Sequence, residues 1–168
     1  MDEATETLER HIPALRRYAW ALVRNADAAD DLVQDCLERA LSRWWLRPRG
    51  ADLAPWLFTI LRNLHVDRHR AGARRGPHVA LDEASEPDVA AEQENGLALR
   101  DALAALDRLP EDQKSLLLLV GVEDLSYEEA ARVLGVPVGT VMSRLSRGRA
   151  RLRSLLETGR ATLLRSVK

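Results

Sequence analysis

The chain has 168 residues, 46% of them apolar, with only 9 Gly and 7 Pro. That length makes one ordinary domain or two very small ones. The single cysteine, Cys36, excludes a disulfide framework, and no apolar run nears the length that spans a bilayer. With no secretory signal, the expected location is the cytoplasm, without membrane insertion. The formal net charge of −1 hides a strong segregation. Residues 1–46 hold nine acids and six bases, and residues 47–78 hold two acids and seven bases. Residues 79–112 hold ten acids and two bases, and residues 113–168 hold five acids and ten bases. Two basic blocks separated by an acidic one are the pattern of a chain with two nucleic-acid-facing surfaces, which the overall charge conceals.

No alternating strand pattern occurs, so the chain is expected to be all-α. In the first block, residues 7–71, Leu8, Ile12, Leu15, Ala19 and Leu22 form one apolar stripe ending near Asn25. Asp27 is placed to cap a second helix that turns Leu32, Val33, Cys36, Leu37, Ala40, Leu41 and Trp44 inward. On its other side Asp31, Gln34, Asp35 and Glu38 recur at i, i+3/i+4 and i+7, which makes one polar face. Carboxylates near a helix start complement its dipole, which accounts for Asp27 but not for that face. Arg47-Pro-Arg-Gly50 breaks the pattern. Asp52 is a candidate cap for a third helix, packed through Trp56, Leu57, Ile60, Leu61 and Leu64. Trp56, Phe58 and Trp44 are expected in the core; Trp45 is undecided. The wet end of this helix carries Arg62, Asn63, Asp67, Arg68, His69 and Arg70, followed by Arg74 and Arg75.

Residues 72–95 contain Gly72, Gly76, Pro77, Pro87 and a cluster of acids, and are expected to be a flexible acidic linker. The second block, residues 96–158, starts with Leu97, Leu103 and Leu106 and is followed by a tail, 159–168. Its most informative stretch is Ser126 to Arg153. Ser126 and Glu129 make a capping box for a helix with Ala130, Val133 and Leu134 on its apolar side. Gly135 supplies a left-handed stop, Val136 is held extended by the proline after it, and Pro137 suits the first position of a new helix. That helix sets Val138, Val141, Leu145 and Leu152 on one side, with Arg144, Arg147 and Arg151 on another. Five arginines (144, 147, 149, 151 and 153) fall within ten residues with no acid among them. A merely solvated helix intersperses glutamate for pairing. The pattern is that of a DNA-binding helix-turn-helix.

Three motifs in order then resemble the extracytoplasmic-function group of the sigma-70 family of bacterial RNA polymerase sigma factors, over about residues 8–157. Residues 27–35, DAADDLVQD, resemble the helix that docks on the polymerase clamp. Residues 55–69, PWLFTILRNLHVDRH, resemble the helix that engages the downstream (−10) promoter element. Residues 109–145 resemble the domain that reads the upstream (−35) element. The resemblance implies two small helical domains, a sigma region 2 bundle and a sigma region 4 helix-turn-helix, joined by the linker. It implies that Asp31, Gln34, Asp35 and Glu38 meet the clamp of the largest subunit of core RNA polymerase, with region 4 at the upstream flap. Arg47, Arg49, Arg62, Asn63, Arg68, His69, Arg70, Arg74 and Arg75 are then the −10 contacts. The resemblance also implies that the Arg47–Leu53 loop captures a base flipped from the melted strand.

The resemblance further implies that in the recognition helix Met142, Ser143, Arg144, Ser146 and Arg147 occupy the family's positions facing the major groove. Arginine holds guanine through O6 and N7, whereas Ser and Met make looser contacts. Many relatives carry a base where Met142 stands. Arg149, Arg151 and Arg153 suit phosphate, which positions the helix without reading sequence. The resemblance further implies control by an anti-sigma protein. The linker acids Asp82, Glu83, Glu86 and Asp88 suit a basic channel of polymerase, where they would imitate nucleic acid. A stand-alone helix-turn-helix regulator would leave residues 8–71 without a role. A sigma-like decoy that captures the inhibitor would not need both basic blocks. No cofactor or metal is expected: His65 and His69 have i, i+4 spacing but no third ligand, and no nucleophile constellation of an enzyme is present.

Overall fold

The computed structural model describes residues 2–75 and 93–166. Among these the chain forms α-helices and one 3-10 turn, without strands, and falls into two compact units. The first is built by α1 (Asp2–Glu9), α2 (Ile12–Val23), α3 (Ala26–Ser42), the 3-10 turn Trp44–Leu46 and α4 (Ala54–Arg74). The second is built chiefly by α5 (Gln93–Asp107), α6 (Glu111–Gly121), α7 (Tyr127–Leu134) and α8 (Val138–Ser166). Most of the expected linker, including Asp82, Glu83, Glu86 and Asp88, lies outside the described residues. Its two ends do not: Gly72 to Arg74 continue α4 past the expected boundary at Ala71, and Gln93 to Asn95 open α5. The expected tail is likewise a continuation of α8 as far as Ser166.

In the first unit the stripe from Leu8 to Leu22 is two helices rather than one. Pro13, in the first turn of α2, has no N–H for a ladder bond and would clash with a carbonyl in a helix interior. The chain therefore turns at His11, whose N–H donates to Leu8 O at 2.9 Å, and restarts. Arg24 ends α2 in the left-handed region (φ 56°), with its guanidinium over the Trp20 ring at 4.4 Å. The cap of α3 is Asn25, whose Oδ1 accepts from the Ala28 N–H at 2.9 Å. Asp27 instead sits in the first turn, where its charge complements the dipole. Asp52 Oδ1 accepts from the Ala54 N–H at 3.0 Å, although Leu53 holds the cap position of α4.

Helices α2, α3 and α4 pack on one another around Leu15, Tyr18, Leu32, Val33, Cys36, Leu57, Phe58 and Leu61, all buried. Tyr18 and Phe58 meet edge to face at 5.2 Å. Of the residues expected inside, Leu41 is exposed, and Leu37, Trp44 and Trp56 are only half-buried, the Trp44 and Trp56 rings meeting edge to face at 6.5 Å.

In the second unit α8 packs on α5 and α6 around Leu103, Leu109, Leu116, Leu119, Val141 and Leu145. Gly148 of α8 is buried facing α6, where a Cβ would stand 3.4 Å from Gln113 Cβ, in ordinary contact. Lys114 is buried and its ammonium donates to Asp107 Oδ1 at 2.8 Å, so the charge enters the interior paired. Leu97 is exposed.

Cys36 tests the solidity of the first unit. Its Sγ donates to Leu57 O at 3.5 Å, and burial pushes the thiol pKa up to about 12, with Arg39 acting weakly the other way. The thiol therefore stays protonated and inaccessible at pH 8. A chromogenic disulfide should fail to label the native protein and should label one thiol per chain once urea unfolds it.

Candidate nucleic-acid interface

Helix α7 is capped at both ends. The Ser126 N–H donates to Glu129 Oε2 at 2.8 Å and the Glu129 N–H donates to Ser126 Oγ at 3.1 Å, a reciprocal capping box. At the other end Gly135 takes φ +66°, its N–H donates to Arg132 O at 3.3 Å, and the Val136 N–H donates to Ala131 O at 3.1 Å. These two bonds make a Schellman stop. Pro137 stands one residue earlier than expected, as the cap of α8: its carbonyl accepts from Thr140 N–H at 3.0 Å and from Val141 N–H at 3.2 Å.

Successive residues of α8 turn by about 100°, which separates its faces. Val141, Leu145 and Gly148 are buried, with Val138 and Leu152 half-buried beside them. Met142, Ser143, Ser146, Arg147, Arg149, Arg151 and Arg153 are exposed. Arg147 Nε donates back to Ser143 O at 3.3 Å and Ser143 Oγ donates to Thr140 O at 3.1 Å, so both side chains lie along the helix.

Arg144 does not join this exposed set. It is half-buried on the shoulder of α8, and its Nη1 donates to Asp112 Oδ2 of α6 at 2.7 Å. Five arginines that look equivalent in sequence are thus four exposed side chains and one interhelical strut. Asp112 is the residue that sequence reading missed. It lies 32 positions away, and no local spacing announces the pair.

In the first unit Asp31, Gln34 and Glu38 are exposed on one face of α3, with Asp35 half-buried beside them. Gln34 Nε2 donates to Glu38 Oε1 at 3.0 Å. Asp35 Oδ2 accepts from Arg68 Nη2 of α4. The expected polymerase face and the expected −10 surface therefore share one ion pair. Another, Arg16 to Asp30 at 3.1 Å, ties α2 to α3. Along α4, Asn63, His69, Arg70 and Arg74 are exposed, as is Arg75 just past its end, while Arg62 is half-buried. Arg47 folds back on the turn before it: its Nη1 donates to Trp44 O at 3.2 Å and its guanidinium lies over the Trp44 ring at 4.6 Å. Arg49 is exposed, and Gly50 takes φ +72° to turn the loop. His11, half-buried at the head of α2, has its pKa lowered by burial, against the opposing charge of Asp52.

Residues 8–62 match the sigma2 domain of PhyR, and residues 99–152 match region 4 of sigma-70. The ECF RNA polymerase sigma factor EcfG of Rhodopseudomonas palustris (strain TIE-1) is 41% identical over 155 residues, which cover 92% of this chain and 86% of that protein. The chain belongs to the ECF RNA polymerase sigma factors. SigM of Mycobacterium tuberculosis, another ECF sigma factor, is 34% identical over 90% of this chain and 76% of its own length. Among solved structures, the sigma factor RpoE in complex with the anti-sigma factor NepR, from Bartonella quintana, superposes with a TM-score of 0.79 at 35% identity. That match covers 94% of this sigma factor and 98% of RpoE. No described helix of this sigma factor is long and apolar enough to cross a membrane.

The Asp112–Arg144 strut should be measurable as stability. Asp112→Ala and Arg144→Ala should each lower unfolding free energy by about 1 kcal/mol, the scale of a partly exposed pair. The double variant should cost less than the two singles added. Urea midpoints of the four proteins check this; full additivity would mean the pair contributes nothing.

Proposed function

We propose that this sigma factor binds core RNA polymerase through the α3 face and reads the −35 element with α8, while α4 and the 47–53 loop engage the −10 element. The observation that supports this most is the two-sided α8: a packed face fixed by a doubly capped turn, opposite an exposed face of serines and arginines. Its second and third turns present Met142, Ser143, Ser146 and Arg147, the part of a recognition helix near its N-terminus, which meets base edges. Arg147 suits guanine through O6 and N7, and Met142 offers apolar contact to a thymine methyl. Arg149, Arg151 and Arg153 continue the helix as phosphate clamps. Arg144, tied to Asp112, serves first to set the angle of α8 on α6, and it reaches a base only by keeping or exchanging that partner.

On α3, Asp31, Gln34, Asp35 and Glu38 offer carboxylates and an amide to a cationic surface on the clamp of the largest subunit, with region 4 at the upstream flap. Arg47, Arg49, Arg62, Asn63, Arg68, His69, Arg70, Arg74 and Arg75 follow the −10 DNA. Polymerase performs the chemistry; this chain supplies the promoter address and helps hold the strands apart. Because RpoE, 35% identical, was solved with NepR bound, an anti-sigma protein is the proposed means of control. The match of residues 8–62 to the sigma2 domain of PhyR favours a second reading, a decoy that binds the inhibitor and not polymerase.

The deciding experiment mixes the purified chain with bacterial core polymerase and maps transcript starts on genomic fragments. Discrete new starts sharing upstream and downstream elements are expected. Failure to bind core would overturn the reading in favour of the decoy.

Within the complex, Arg147→Ala should cost about 1–3 kcal/mol at the cognate promoter and relax preference at one upstream base pair. Arg151→Ala with Arg153→Ala should weaken binding evenly across sequences and lower the salt slope by about 2. Competition binding at several salt concentrations separates the two classes.

A further inference from the structure

Of the arginines between 144 and 153, Arg144 is the one held by another helix among the described residues. Its Nη1 donates to Asp112 Oδ2 at 2.7 Å, whereas Arg147 Nε donates back to Ser143 O of its own helix at 3.3 Å. Asp112 is itself on a fixed support. It stands in the first turn of α6, next to Gln113, which faces Gly148 of α8. Two residues on, Lys114 is buried with its ammonium on Asp107, the last residue of α5. A carboxylate in a first turn complements the helix dipole, and that alone would account for an acid at this place. It does not account for a bond to a residue 32 positions further along the chain.

That bond occupies one corner of the guanidinium. Arginine presents five N–H donors in a planar fork, and Nε with Nη2 makes one bidentate edge of it. Among the described residues neither Nε nor Nη2 of Arg144 has a protein acceptor, and 28% of the side chain meets water. A bidentate edge is what holds guanine through O6 and N7. Arg144 follows the exposed Ser143 and precedes the exposed Arg147 by three residues, so it shares a flank of α8 with Arg147. A mobile arginine gives up rotamer freedom when it takes a base contact. One already clamped by a carboxylate has given it up in advance.

We propose that Asp112 is a specificity-determining positioning residue: it fixes the Arg144 guanidinium so that the Nε–Nη2 edge reads one guanine of the upstream element. This rests on the sigma-factor reading above. It adds that Arg144 keeps its protein partner while on DNA, and that a residue outside the recognition helix sets the preference at one base pair.

The test uses holoenzyme assembled from core polymerase with wild-type or variant chain. Its probes are duplexes carrying a mapped upstream element with each base pair changed in turn. Arg144→Ala should reduce preference at one G·C pair by roughly 5- to 150-fold, the worth of one bidentate base contact. Asp112→Ala should reduce preference at that same pair by a smaller factor and leave every other pair as in wild type. The double variant should be no less selective than Arg144→Ala, because Asp112 acts through the arginine. Asp112→Asn, which keeps the size and one acceptor oxygen, should fall between wild type and Asp112→Ala. Even weakening across all duplexes by both Asp112 variants would overturn the proposal and leave the pair a strut alone. So would unchanged preference, an effect at a different base pair, or a further loss of selectivity in the double variant. If wild type itself neither binds core nor directs starts, the sigma-factor reading falls first, and the proposal with it.

Discussion

A chain that must crowd arginines onto two surfaces while staying near neutral overall has to place its acids with care. Like charges gathered on a helix repel one another, and that repulsion acts on the folded state more than on the extended one. Here the acids are not spread evenly along the sequence. Several stand on the helix next to an arginine-bearing one: Asp35 opposite Arg68, Asp112 opposite Arg144, and Asp30 opposite Arg16. Each pair joins two helices, so charge balance and helix packing are served by the same contacts. The outer arginines of α8, from Arg147 to Arg153, have no acid within their own stretch of sequence. A surface that keeps its cations unopposed in this way is a surface prepared for a polyanion.

The same division of labour runs through the two helices that matter most. On α3, Leu32, Val33, Cys36 and Ala40 are buried, while Asp31, Gln34 and Glu38 face out. On α8, Val141, Leu145 and Gly148 are buried, while Met142, Ser143, Ser146 and Arg147 face out. Packing determines where each helix sits; the opposite face is then free to be chosen for its partner. The capping box at Ser126 fixes the start of α7, and the left-handed Gly135 and the Pro137 cap fix the start of α8 to the residue. A slip of one position would turn its outward face by about 100° and present the wrong side chains to a groove.

The parts of this fold that are legible in sequence are those governed by local rules. The capping box, the Gly135 stop and the apolar face of α8 depend on residues within four positions of each other, and they are found where spacing puts them. The breaks are harder. Pro13 divides the first stripe because its missing N–H outweighs an unbroken apolar pattern. Asn25, not Asp27, caps α3 because the chain leaves Arg24 in a left-handed turn that ends at that residue. Leu41 and Trp45 follow from where the 3-10 turn begins, and periodicity alone does not mark that point. The carboxylate partners of Arg68 and Arg144 lie 33 and 32 residues away, so they depend on how whole helices pack.

Those two pairs also set how readily the arginines can be used. Arg68 and Asp35 are both nearly half exposed, at 43% and 47% of their side-chain surface, and an ion pair in that environment contributes at most about 1 kcal/mol. Exchanging the carboxylate for a phosphate costs little, because one anion replaces another and each is partly hydrated. Arg144 is more enclosed, at 28%, and its partner Asp112 stands in the first turn of α6. Moving it would disturb the helix that carries Met142, Ser143 and Arg147. The fold therefore leaves Arg68 in a largely hydrated pair and holds Arg144 in a more enclosed one between α6 and α8. Side chains of identical chemistry are given different roles by how far water reaches them.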